Sequence, residues 1–146
     1  MIEEFEKSEE EVKDGMDIAL CSLDGSELKY AGAHNPLWII RKGADQVEEI
    51  KADKQPIGIY AEPGPFTTHE IELNSGDTFF TFSDGFADQF GGEKGKKFKA
   101  KNFKNLLISI QVESMERQKE LLDEAFEKWK GNLEQLDDVC VIGVRI

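Results

Sequence analysis

Apolar positions in this chain change rhythm about two thirds of the way along. Up to about residue 100 they come in short runs and alternations cut by Gly, Pro, Asn and Asp, which is the pattern of strands and turns. Residues 17–23 read as a strand, Asp24-Gly25 as a hairpin turn, and 27–31 as the returning strand. Further strands are predicted over 37–41, 47–50, 66–73 and 78–83, with Lys42-Gly43 and Asn74-Ser75-Gly76-Asp77 as turns. Ala33-His34-Asn35-Pro36, 55–59 and 62–65 are rich in breakers and read as loops. Before these, residues 3–12 are charged on most faces and predict the end of a helix, closed by Asp14-Gly15.

Beyond residue 100 the spacing becomes helical. Phe103, Leu106, Leu107 and Ile110 share one helix face. Ser114 is a natural N-cap for a second helix, with Leu121, Leu122, Ala125, Phe126 and Trp129 along one side and Gly131 as its stop. Residues 139–146 predict a last strand that returns to a sheet. A meander of strands followed by two helices and one strand is an α+β pattern, with helices covering a mostly antiparallel sheet. At 146 residues there is room for one domain.

Composition narrows the function classes. Thirty acidic against eighteen basic residues give a formal charge of −12, which opposes nucleic acid and anionic membranes as partners. Lys94, Lys96, Lys97, Lys99, Lys101 and Lys104 form a basic cluster, read here as a solvated loop and helix start. Cys21 and Cys140 lie in apolar runs without zinc-ligand spacing, so both are expected as reduced core residues of a cytoplasmic protein. No apolar run approaches the length of a membrane span, and the acidic start of the chain lacks a signal-peptide pattern.

Candidate chemistry sits at the ends of two apolar runs. Thr78-Phe79-Phe80-Thr81-Phe82 leads into Ser83-Asp84-Gly85, and Asp137-Asp138 opens the run that begins at Val139. Carboxylates from neighbouring strand ends can converge on one hard cation such as Mg²⁺ or Mn²⁺. Each signal alone has a plainer reading: Asp-Gly after a strand is usually a hairpin turn, and Asp-Asp before a strand a solvated one. Taken in order, however, Ala31-Gly32-Ala33-His34-Asn35-Pro36-Leu37, Gln55-Pro56-Ile57-Gly58, Asn74-Ser75-Gly76-Asp77, Ser83-Asp84-Gly85-Phe86-Ala87-Asp88 and Asp137-Asp138-Val139 resemble a known set. The set is that of the PPM-type metal-dependent protein serine/threonine phosphatases, in the SpoIIE/RsbU-like branch.

That resemblance implies part of an αββα sandwich and a hydrolase acting on phosphoserine or phosphothreonine with two Mn²⁺ or Mg²⁺ ions. It implies Asp84 and Asp137 as metal ligands, Gly85 as the point where the backbone passes close behind the site, and Asp138 in a supporting hydrogen-bond role. No side chain acts as nucleophile, because the attacking water is activated by metal. His34 and Asn35 fall on the family's A-G-H-N-P segment, but Ala33 interrupts it, so they are candidates without an assigned role. Cys140 stands where the family often has Thr. Residues 1–16 carry no match to the family's D-x-x-G-H-G segment. The expectation is therefore a single partial domain over 1–146, lacking its N-terminal portion, inactive alone and prone to self-association through uncovered strand edges. Implied partners are a phosphorylated signalling protein, such as an anti-sigma-factor antagonist, and an upstream sensor domain in the parent. The alternatives are a non-catalytic binding module that acts by contact, and an acidic structural domain with accidental motifs.

Overall fold

The computed structural model describes residues 15–58 and 64–146, and the helix expected over 3–12 lies outside the described residues. The chain divides into two compact units, Met1–Leu37 with Glu49–Leu73, and Trp38–Glu48 with Asn74–Ile146.

In the first unit the Asp24-Gly25 turn signal acts as expected. β2 (Ile18–Asp24) folds back on β3 (Glu27–Ala33) in an antiparallel register from Ile18–Ala33 to Asp24–Glu27. Gly25, with φ +61°, supplies the left-handed turn residue. β7 (His69–Glu72) pairs antiparallel with the other edge of β3. Inward residues Leu28, Tyr30 and Ile71 form the buried side, as a period of two requires. A short pair, β1 (Gly15–Met16) with β6 (Ile57–Gly58), lies in a stretch whose prolines and glycines predict only loop. Two-residue strands carry no alternation that a sequence pattern could register.

The second unit holds β4 (Leu37–Ile40), β8 (Thr78–Phe82) and β11 (Val141–Arg145), with β8 in the middle and antiparallel to both neighbours. β5 (Glu48–Ile50) completes the order of this four-stranded sheet. Three helices follow β8: the single turn α1 (Gly85–Asp88), α2 (Ala100–Ser109) and α3 (Met115–Lys130). Ser114 caps α3, its hydroxyl accepting from the Arg117 amide at 3.2 Å. The core combines sheet residues Trp38, Ile40 and Phe80 with Phe86 of α1, Phe103 and Leu107 of α2, and Phe126 of α3. Phe86 and Phe103 stack at 4.5 Å between ring centroids. The α+β class with mostly antiparallel strands is thus observed.

Several local expectations are corrected. Asp84-Gly85 opens the short helix α1, so there are three helices after β8 where two were expected. A hairpin of β9 (Phe90–Gly91) and β10 (Lys96–Lys97) occupies the stretch read as a solvated loop. Neither cysteine is a core residue. Cys140 is exposed because it falls on the outward phase of its alternation, whereas Cys21 lies opposite buried Tyr30 on the inward phase of β2 and is only half-buried there. Burial still raises the Cys21 thiol above its usual pKa.

Candidate functional site

β8 delivers Asp84 to its end, and the segment before β11 brings Asp137 beside it. Asp84 stands at the N-cap position of α1, but its carboxylate makes no capping hydrogen bond to the helix. Its pKa is raised. The first cause is burial on one side, followed by the negative charges of Asp137 and Asp88 and by a side-chain hydrogen bond shared with Asp137. The two carboxyls expected to act together are therefore neighbours, held close in spite of like charge.

The closeness is built by polar contacts between segments more than fifty residues apart. The Ser83 hydroxyl donates to the Asp138 carbonyl at 2.9 Å and accepts from the Cys140 amide at 2.9 Å. The Ser83 amide donates to the Cys140 carbonyl at 2.9 Å. One serine thus straps the approach to β11 onto the end of β8. Gly85 completes the fit, since a Cβ there would stand 2.3 Å from the Asp138 carbonyl oxygen and 3.1 Å from Val139 Cγ2. Asp138 enters through this carbonyl. Its amide donates to Asp137 Oδ1 at 2.7 Å, which fixes the rotamer of the Asp137 side chain.

A second clamp sits behind. Gln89 is buried and its amide nitrogen donates to the carbonyls of Phe90 and Glu134, each at 2.9 Å. Its backbone carbonyl accepts from Trp129 Nε1 at 2.8 Å. Gln135 Nε2 donates to the Asp137 carbonyl at 2.9 Å. Ser83 and Gln89 were not assigned roles by sequence reasoning. The only local signals were a hydroxyl between an apolar run and Asp-Gly, and a lone amide between Phe86 and Phe90.

The donor set suits a hard cation. Two oxygen ligands whose mutual repulsion a positive charge would relieve, at a site open to solvent, match the preferences of Mg²⁺ and Mn²⁺. Among the described residues no group of three or more His, Cys, Asp or Glu could hold a metal, so this pair is a partial set.

His34 and Asn35 belong to the first unit and are described within it. His34 is exposed at φ +61°, with Nδ1 2.8 Å from Asp17 Oδ1. Its amide donates to the Asp53 carbonyl at 3.0 Å. Asn35 contributes its backbone carbonyl, which accepts from the Tyr30 hydroxyl. Both residues hold the β3–β4 loop in shape by contacts of their own unit.

Comparison with known proteins gives the family and the fold. The family model for stage II sporulation protein E (SpoIIE) matches residues 7–146. Among solved structures, the SiaA PP2C domain of Pseudomonas aeruginosa is 29% identical with a TM-score of 0.75, over 83% of this chain and 47% of that one. The manganese-presoaked phosphatase domain of SpoIIE from Bacillus subtilis is 20% identical with a TM-score of 0.63, over 96% and 60%. The RsbU and RsbW domains of a Mycobacterium tuberculosis protein give 20% identity and a TM-score of 0.65, over 88% and 35%. The chain thus spans less than two thirds of each of these relatives. No curated protein matches it. No helix among the described residues is long and apolar enough to cross a membrane. With the family match running through the Asp84 and Asp137 segments to the last residue, the chain belongs to the SpoIIE family of PP2C-type phosphatase domains.

Proposed function

We propose that this chain supplies Asp84 and Asp137 as ligands for Mn²⁺ or Mg²⁺ in a phosphatase domain that hydrolyses phosphoserine or phosphothreonine on a signalling protein. The observation that carries the reading is the strap that joins the two segments: the Ser83 hydroxyl donates to the Asp138 carbonyl at 2.9 Å with Gly85 packed against the same oxygen, while burial, and then the negative charges of Asp137 and Asp88, raise the pKa of Asp84. When bound, such cations supply positive charge against phosphoryl oxygens and a water of lowered pKa. The chain's own residues do the positioning. Ser83 holds the Asp138 carbonyl, Gly85 leaves room for it, and the Asp138 amide orients the Asp137 carboxylate. The manganese-presoaked Bacillus relative supports the choice of ion. The partner class proposed with it, on the resemblance of the ordered motifs to the SpoIIE/RsbU-like branch, is a phosphorylated regulator such as an anti-sigma-factor antagonist.

The test is turnover of a phosphoserine peptide with Mn²⁺ by the protein that carries this chain, alongside Asp84→Asn and Asp137→Asn. Each substitution is expected to lower the rate about a hundredfold, in keeping with removal of a group that positions a metal. An Asp84→Asn protein with unchanged turnover contradicts the proposal. Partner binding with no turnover in any form supports the contact-acting module in its place.

A further inference from the structure

The basic cluster is the feature the proposed function leaves unused. Residues 89–112 hold six lysines against the single acid Glu93, in a chain whose net charge is −12. The structure gives this stretch a fixed shape. β9 and β10 pair in the register Gly91–Lys96 and Phe90–Lys97, which makes a hairpin with Lys94 and Lys96 exposed. The hairpin is pinned to the end of α3. The Gly92 amide donates to the Trp129 carbonyl at 3.0 Å, and Gly91 lies so close that a Cβ would stand 2.0 Å from that oxygen. On its other side the Lys99 amide donates to the Ala87 carbonyl at 2.8 Å, and the Phe98 amide to the Gln89 carbonyl at 3.0 Å. Lys99 is held at φ +76°, a conformation a lysine does not adopt by preference.

These anchors place the lysines against α1, the turn that Asp84 opens. Lys97 Nζ lies 3.8 Å from Asp88 Oδ1, and the Asp88 amide donates to the Asp84 carbonyl at 3.0 Å. A strip of lysines therefore runs along the hairpin to α1, where Lys97 meets Asp88. A polypeptide reaching the carboxylates of Asp84 and Asp137 with a phosphorylated residue would lay its flanking residues along the strip. Lysines on a rigid hairpin attract anionic side chains from solution and steer them in, since clustered charge of one sign raises association rates.

We propose that the β9–β10 hairpin and the start of α2, through Lys94, Lys96, Lys97 and Lys99, form a docking surface for an acidic phosphorylated segment of a protein substrate. The proposal deepens the function above and rests on it, by naming the charge of the substrate's flanks. A nucleic acid or an anionic membrane would also be drawn to lysines, but the acidic remainder of the chain repels such extended polyanions. A short acidic peptide fits within the strip.

The experiment uses a fluorescein-labelled peptide with a central phosphoserine flanked by Asp and Glu. Binding to the 146-residue chain is followed by anisotropy in EDTA, where no turnover occurs. The variant Lys94→Glu/Lys96→Glu/Lys99→Glu leaves the Lys97–Asp88 pair intact, and Lys29→Glu/Lys51→Glu/Lys54→Glu makes the same charge change elsewhere. The first variant is expected to bind about tenfold more weakly, the combined effect of three screened surface pairs, and the second nearly as well as wild type. Glutamine at the same three positions should give an intermediate loss and guards against misfolding. Wild-type affinity should fall as salt rises from about 0.05 to 0.15 M. Mn²⁺-induced broadening of the Ser83–Gly85 amide signals reads the carboxylate site separately. Equal peptide binding by wild type and the first variant overturns the docking surface and leaves the metal site standing. Lysine-dependent binding without Mn²⁺ broadening upholds the surface and sinks the metal reading. Tighter binding of RNA or phosphatidylserine vesicles than of the peptide also overturns it.

Discussion

The two ends of β8 carry the same residue type in opposite electrostatic states. Asp77, just before the strand, is buried, and its carboxylate accepts from Arg41 Nη1 at 2.9 Å, the Lys42 amide at 2.9 Å and the Asn74 amide at 2.8 Å. Burial alone would raise its pKa, but these three donors outweigh it and hold the group below the usual carboxylate range. Asp84, just past the strand, has its pKa raised first by partial burial and then by the negative charges of Asp137 and Asp88, with only its own backbone amide acting the other way. One carboxylate is satisfied by the fold, and the other is left wanting a positive charge. Strand ends position both equally well; what separates a structural acid from a candidate ligand is whether the chain itself supplies the counter-charge.

Removing the satisfied acid should have the largest effect. Asp77→Ala leaves Arg41 and two backbone amides without their acceptor, and is expected to cost about 3 kcal/mol of stability in urea unfolding at pH 7. The folded pKa of Asp77 is depressed, so its contribution is fully present above the unfolded value of about 3.9 and is lost as pH falls through the lower folded value. The difference between wild type and Asp77→Ala should stay constant above about pH 4 and shrink below it. A difference that shrinks at neutral pH would break the contrast between the two ends.

The clamp at the other end comes next. Ser83→Ala removes both side-chain hydrogen bonds that strap Asp138 and Cys140, and is expected to cost about 1.5 kcal/mol. It should also loosen Asp137, so weak Mn²⁺ binding should weaken further. Loss of stability without any change in Mn²⁺ binding would separate the strap from the site.

The smallest effect has the opposite sign. A raised folded pKa means that Asp84 withdraws stability as pH rises from about 3.9 through its higher folded value. Asp84→Asn should therefore stabilise the metal-free protein at pH 7 by about 0.5 kcal/mol, a modest gain because the site is open to solvent and screened. Destabilisation by more than about 1 kcal/mol in thermal unfolding would mean that Asp84 is structural after all.

How much of this was legible in the sequence follows from the range of each interaction. Ser114, its helix and the Gly131 stop were legible because capping is local. Asp84 and Asp137 were singled out only through ordered motifs, since no spacing rule reveals that the segments of residues 83 and 138–140 are strapped together. The Ser83 and Gln89 clamps escaped notice because their partners lie 55 and 45 residues away. Cys140 was misplaced because an apolar run does not say which of its alternate positions faces inward. The β9–β10 hairpin was missed because two lysines in a two-residue strand look like any solvated turn.

The central claim is that Asp84 and Asp137 form a cation site, and paramagnetic broadening tests it most directly. Mn²⁺ added in small amounts to the isotope-labelled chain broadens amide signals near any site it visits, even one of weak affinity. Selective broadening around Ser83–Gly85 and Asp137–Val139, abolished by Asp84→Asn and by Asp137→Asn, is the expected result. Broadening spread over the acidic surface, or unchanged in both variants, would contradict it.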